Sequence, residues 1–249
     1  MADAPGWLVA RPIAHRGLHE RAAGRPENTL AAALAAVEAG YAIECDVQIS
    51  ADGEAMVFHD EHLGRLTGLD AETGARRAAE LEALPVLGTG ETIPSLPRLL
   101  SAIAGRVPLV IEIKSLYSGD LALTRRVVEL AAAYDGPVAL KSFDPGIVAA
   151  LAELAPGVPR GIVAETTQDD PAYALLPEAL RRSLANLLHL EDSRPDFLSW
   201  RVGDIPCAAT HLCRLLARMP VMTWTVRTPE QVRHAATHAD QMVFEGFRP

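Results

Sequence analysis

The amino-acid sequence predicts an α/β chain closed into a (β/α)8 barrel. Two observations carry that expectation. Short apolar segments alternate with alanine-rich helical ones, and eight of the apolar segments, leaving out one hairpin arm, are separated by crossovers. Polar residues also collect where these segments end: His15, Arg16, Glu44, Asp46, His59, Asp60, Glu112, Lys114, Lys141, Ser142, Glu165, Trp224 and Glu245. In a barrel those C-terminal ends form one mouth. An open doubly wound sheet fits much of the same alternation. Neither GxGxxG after the first strand nor GxxxxGK[ST] is present, so both standard nucleotide-binding loops are missing.

The elements follow in order. Residues 8–14 read as the first strand, which ends at His15-Arg16-Gly17. Residues 30–39 have helical spacing, with Asn28 or Thr29 as cap and Gly40 just beyond. Residues 42–49 alternate strictly: Ile43, Cys45, Val47 and Ile49 face one way, Glu44, Asp46 and Gln48 the other. A turn at 51–54 leads into a hairpin arm at 55–58. Residues 61–92 are polar and turn-rich with one helical patch near 76–83, and 54–92 make a small insertion after the second strand. Residues 93–104 are helical. Strands at 108–113, 138–141, 160–164, 197–200, 221–226 and 242–245 then alternate with helices at 120–133, 145–154, 175–188, 208–217 and 229–238. One domain over residues 1–249 is expected.

Charge excludes one class of partner. Twenty-three basic against 32 acidic residues leave a net charge of −9, which disfavours a nucleic-acid binder. No apolar run approaches a membrane span, and the N-terminal residues do not read as a signal peptide. Three cysteines without a CxxC suit a reduced, cytoplasmic protein. Lysine occurs only at 114 and 141. Oligomeric state is not legible.

Glu44 and Asp46, two apart on a strand, put both carboxylates on one face, and Glu112 stands on the neighbouring strand. Three carboxylates facing one space repel unless something neutralises them. A single divalent cation (Mg²⁺, Ca²⁺ or Mn²⁺) suits such hard oxygen ligands; salt bridges to neighbouring arginines are the other reading. His15 and His59 each end a strand beside a charged residue. They fit either a general acid–base pair or hydrogen-bonded structural histidines. Arg16 and Lys114 could grip a phosphate or pair with the carboxylates. Trp224 is either core or a wall for substrate. Cys45 should lie under the helices.

These residues resemble a known family. His15-Arg16-Gly17, Pro26-Glu27-Asn28-Thr29, Glu44-Cys45-Asp46-Val47-Gln48 and Val57-Phe58-His59-Asp60 resemble, in order, the glycerophosphodiester phosphodiesterases. So do Leu66-Thr67-Gly68, Ile93-Pro94-Ser95-Leu96, Ile111-Glu112-Ile113-Lys114, Ser142-Phe143 and Thr223-Trp224-Thr225-Val226. The resemblance implies a TIM barrel with its insertion after strand 2. It implies hydrolysis of glycerol–phosphate–alcohol diesters to glycerol 3-phosphate and the alcohol. It implies a divalent cation on Glu44, Asp46 and Glu112, His15 and His59 as acid and base, and Arg16 and Lys114 around the phosphate. Glu27 and Asn28 would lie near the metal or its outer shell. The chain departs from the family near its end, where Phe244 and Glu245 replace the usual threonine and acid or amide, and Arg227 stands where asparagine is common. Those sites are expected at the mouth, where they bear on the alcohol.

Two nucleophiles are compatible with this set: water, or the substrate's own 2-hydroxyl, which would give a cyclic phosphate. His15 is placed near the nucleophile and His59 near the leaving group. A small-molecule phosphodiester is the expected partner. A related phosphodiesterase acting on lysophospholipids (lysophospholipase D-like) or another phosphodiester, and a non-catalytic binding barrel, are the alternatives.

Overall fold

The computed structural model describes residues 4–169 and 171–249. Its strands are β1 (Ile13–Ala14), β2 (Ala42–Ile49), β3 (Ala55–Val57), β4 (Leu109–Ile113), β5 (Val138–Ser142), β6 (Arg160–Ala164), β7 (Phe197–Arg201), β8 (Val221–Val226) and β9 (Gln241–Phe244). β1 pairs in parallel with both β2 and β9, so eight parallel strands close into a TIM barrel; β3 lies antiparallel against the end of β2. The helices are α1 (Leu30–Ala39), α2 (Gly64–Thr67), α3 (Ala78–Leu81), α4 (Leu96–Ile103), α5 (Ala122–Ala132), α6 (Pro145–Leu154), α7 (Glu178–Asn186), α8 (Leu190–Ser193), α9 (Ala208–Ala217) and α10 (Pro229–His238).

Local chemistry explains the ends. The Thr29 hydroxyl accepts the Ala32 N–H and caps α1, which stops at Gly40. α6 and α10 each begin with proline behind a capping side chain, Asp144 and Thr228. Pro177 delays α7, so the helix expected from residue 175 begins at Glu178.

Strand alternation sorts the core into two layers. Ile43, Cys45 and Val47 face the helices, with Ile111, Leu140 and Phe244. Ile13, Ala42, Val110, Ala139, Phe197, Met222 and Val243 fill the barrel interior. Each large apolar chain buried this way contributes about 1.5–3 kcal/mol. Gly161 makes room for the filling, since a Cβ there would stand 2.2 Å from the Phe197 ring. The first strand is shorter than expected. Only Ile13 and Ala14 pair; Gly6–Val9 forms a 3-10 turn whose Leu8 and Trp7 pack against this interior cluster. Between β2 and α4, Met56, Phe58, Leu63, Leu66, Leu81, Val86 and Ile93 form a separate apolar cluster. The insertion therefore carries its own small core, although only 78–81 of its helical patch is helix. Among the described residues no helix is long and apolar enough to cross a membrane.

Candidate active site

The barrel interior turns from apolar to charged toward the C-terminal ends of the strands. Register sets Asp46 beside Glu112 and Glu112 beside Lys141. One oxygen each of Glu44, Asp46 and Glu112 lies within 4.8 Å of the others, and all three residues are buried. Like charges 4 Å apart repel by about 4 kcal/mol at an effective dielectric of 20. The chain supplies cations against that repulsion. Lys141 Nζ lies 3.1 Å from Glu44 Oε1 and 3.1 Å from Glu112 Oε2. Lys114 Nζ lies 2.8 Å from Asp46 Oδ1 and donates to Glu112 Oε1. Arg16 Nε lies 3.1 Å from Asp46 Oδ2, and the Arg16 backbone N–H donates to Glu44 Oε2 at 3.1 Å. Three carboxylates thus face three cations.

Burial pushes the Asp46 and Glu112 carboxyls up, but the adjoining ammonium and guanidinium groups outweigh it and hold both below the ordinary range. Burial likewise lowers Lys114 and Lys141, and their carboxylate neighbours more than restore both. Asp46, Glu112, Lys114 and Lys141 therefore carry charge at neutral pH.

The loops that bring these groups together are strained. Arg16 and Asn28 have φ of 55° and 57°, a left-handed conformation costing about 1–2 kcal/mol per residue. Hydrogen bonds hold both. Asn28 N–H donates to Arg16 O at 2.9 Å; Asn28 Nδ2 donates to Asp46 Oδ2 at 3.0 Å, and Asp46 N–H donates back to Asn28 Oδ1 at 3.3 Å. Gly17 completes the turn with φ 79°, where a Cβ would stand 2.8 Å from the Ala32 backbone. Glu27 joins from the same loop, accepting from Arg16 Nη1 at 2.6 Å.

Two imidazoles stand at this rim, each against a carboxylate. His15 Nδ1 lies 2.5 Å from Glu245 Oε2, while its Nε2 is 4.0 Å from Glu44 Oε2. Arg227 Nε donates to Glu245 Oε1 at 2.6 Å, and His19 Nε2 lies 3.6 Å from Glu245 Oε2. His59 Nδ1 lies 2.7 Å from Asp60 Oδ1. Arg65, on α2, donates to both Asp60 and Glu27. Burial raises the Asp60 and Glu245 carboxyls; His59 and Arg65 hold Asp60 below the ordinary range, and His15, His19 and Arg227 do the same for Glu245.

Trp224 faces the interior above Met222, donates its indole N–H to Ser199 O at 3.0 Å and meets the Phe143 ring edge-on at 5.6 Å. It is partly exposed and partly packed against the interior cluster. Phe244 does not line the mouth. Strand alternation turns it outward, buried against Tyr41 and Phe247, and puts Glu245 inward in its place. Two clefts of about 540 and 490 Å³ lie around Trp7 and around His211 and Arg214; neither includes any of the residues above.

Glu44, Asp46, Glu112, His15, His59, Arg16, Lys114, Glu27, Asn28 and Trp224 come together at this rim, whereas Phe244, expected at the mouth, packs outside it. Lys141, Arg65 and the Glu245 contact to His15 carried no role in the sequence reading. The scarcity of lysine and its place at the end of a strand were the signals that pointed to Lys141. The donor set suits a divalent cation: three buried carboxylates converge, and buried Glu44 Oε1 accepts no hydrogen bond of good geometry despite Lys141 nearby.

The profile of the glycerophosphoryl diester phosphodiesterase family matches residues 15–243. A glycerophosphodiester phosphodiesterase of Caldanaerobacter subterraneus subsp. tengcongensis is 32% identical over 176 residues, 66% of this chain and 70% of that protein. The crystal structure of the glycerophosphodiester phosphodiesterase of Thermotoga maritima is 26% identical and aligns at a TM-score of 0.70 over 93% of this chain and 92% of that one. The fold is shared too with an Oleispira antarctica phosphodiesterase solved with its product sn-glycerol-3-phosphate, at a TM-score of 0.77, 24% identity, and coverage of 96% and 93%. With its fold, its acidic cluster and these likenesses agreeing, the chain belongs to the glycerophosphoryl diester phosphodiesterase family and is an enzyme, a phosphoric diester hydrolase.

Proposed function

We propose that the enzyme hydrolyses small glycerophosphodiesters to glycerol 3-phosphate and an alcohol, using one divalent cation (Mg²⁺, Ca²⁺ or Mn²⁺) held by Glu44, Asp46 and Glu112. The observation that carries this is the convergence of three buried carboxylates at the rim where two carboxylate-braced imidazoles stand. The product bound to the Oleispira protein supports the same substrate class. When bound, the cation supplies positive charge to offset the phosphoryl oxygens in the transition state.

The chain's own groups do the rest. Arg16 and Lys114 donate hydrogen bonds toward the phosphate as charge develops there. His15 takes a proton from the nucleophile, either water or the substrate's 2-hydroxyl. His59 gives a proton to the departing alkoxide. Asn28 and Glu27 hold Asp46 and Arg16 in place. Trp224 forms a wall for the glycerol or alcohol portion. A net charge of −9 disfavours nucleic acid, and three free cysteines suit the cytoplasm.

Glycerophosphocholine, glycerophosphoethanolamine and glycerophosphoglycerol, followed by phosphorus NMR, test the proposal. Stripping divalent ions should abolish release of glycerol 3-phosphate, and returning Mg²⁺, Mn²⁺ or Ca²⁺ should restore it. Full activity in stripped protein contradicts the metal; no cleavage with any ion contradicts the substrate class. A transient cyclic phosphate identifies the 2-hydroxyl as nucleophile. A second reading, cleavage of lysophospholipids, is favoured by Leu116 and Leu175, exposed on the loops after β4 and β6. A tenfold higher kcat/KM on lysophospholipid, about 1.4 kcal/mol, would decide for it.

A further inference from the structure

We infer that Glu245 is a positioning residue that fixes which nitrogen of His15 carries the proton. The inference rests on the proposed role of His15 as the base.

The argument begins with the barrel closure. His15 N–H donates to Phe244 O at 2.9 Å, and Glu245 N–H donates to Val226 O at 3.1 Å. The ends of β1, β8 and β9 are thereby locked side by side, with His15, Arg227 and Glu245 as neighbours. The Glu245 carboxylate is then used at both oxygens, Oε1 by Arg227 Nε at 2.6 Å and Oε2 by His15 Nδ1 at 2.5 Å. A carboxylate only accepts, so neutral His15 must hold its proton on Nδ1. That leaves the Nε2 lone pair free. Nε2 is the nitrogen turned toward the acidic cluster, 4.0 Å from Glu44 and too far for a hydrogen bond. Only this tautomer can accept a proton from a nucleophile beside the phosphate.

Glu245→Gln is the discriminating variant because Arg227 dictates how an amide would sit. Arg227 has only donors, so the amide must turn its oxygen to Arg227 and its NH₂ to His15 Nδ1. Nδ1 must then accept, and the proton moves to Nε2, where it blocks the base. The expected result is a kcat loss of about 10²- to 10⁴-fold, the range for a mis-set acid–base group, with KM for glycerophosphocholine within twofold. Nitrogen-15 correlation spectra of the imidazoles should show His15 protonated at Nδ1 in the unmodified protein and at Nε2 in the variant. A Glu245→Gln enzyme with kcat within twofold, or a His15 already protonated at Nε2 in the unmodified protein, overturns the inference. The spectrum of the unmodified protein decides even if the variant does not fold. His15→Ala separates the two claims: full activity in that variant removes the base assignment itself, whereas loss there with an unaffected Glu245→Gln removes only the positioning role.

Discussion

The two histidine limbs of the mouth have the same inner chemistry and different construction. His15 is braced by a carboxylate 230 residues away, delivered by the β1–β9 closure. His59 is braced by its own neighbour in sequence, Asp60, on the insertion side of the barrel. The His15 side chain is 12% exposed, that of His59 33%. One limb belongs to the barrel wall and the other to a loop clamped by Arg65 between Asp60 and Glu27. The difference suits two tasks. A base must be held in one tautomer beside the buried charges, and an acid must reach a leaving group that departs toward solvent.

Removing each imidazole tests the comparison most coarsely. His15→Ala and His59→Ala should each lower kcat by about 10²- to 10⁴-fold, in steady-state assays on glycerophosphocholine. A negligible effect of either would reduce that limb to a structural feature.

The next effect concerns the lattice on which both limbs rest. Lys141→Met leaves Glu44 and Glu112 without the ammonium between them, and breaking a buried ion pair costs about 3–5 kcal/mol. Urea unfolding of the metal-free protein should show that loss. Added divalent ion should recover part of it. An unchanged midpoint would mean that the three carboxylates do not depend on Lys141.

A smaller effect separates the braces. Asp60→Asn should lower kcat by about tenfold, less than Glu245→Gln, because the His59 ring, more accessible than that of His15, can be rehydrated at lower cost. Equal losses would erase the distinction between wall and loop.

The smallest effect is on acid stability. The Glu245 carboxyl lies below its unfolded value of about 4.3. A depressed carboxyl contributes stability that is present above the unfolded pKa and lost as pH falls through the folded one. Below about pH 4.3, denaturation of the unmodified protein should therefore steepen, and Glu245→Gln should flatten that slope. An identical slope in both would show that the brace is not charged.

The same contrast accounts for what could be read in advance. Glu44 and Asp46 were legible because a strand period of two forces them onto one face, and His59–Asp60 because the partners are adjacent. The eight strands were legible from local alternation for the same reason. Lys141 was visible as a rare residue at a strand end, but not its partners, which depend on the β4–β5 register. Phe244 and Glu245 were expected at the mouth together, and alternation sends one outward and the other inward. The Glu245 brace needs β1 to lie against β9, a fact of closure that no local pattern contains. The salt-bridge partners expected for the three carboxylates were arginines and Lys114; Lys141 also reaches Glu112, through strand register.

One measurement bears most directly on the claim that the limbs have separate jobs. Turnover of glycerol p-nitrophenyl phosphate, whose leaving group departs without a proton, is compared with turnover of glycerophosphocholine in the two alanine variants. His59→Ala should recover most of its lost kcat on the activated substrate, while His15→Ala should stay impaired on both. Equal recovery in both variants, or none in either, would contradict the assignment.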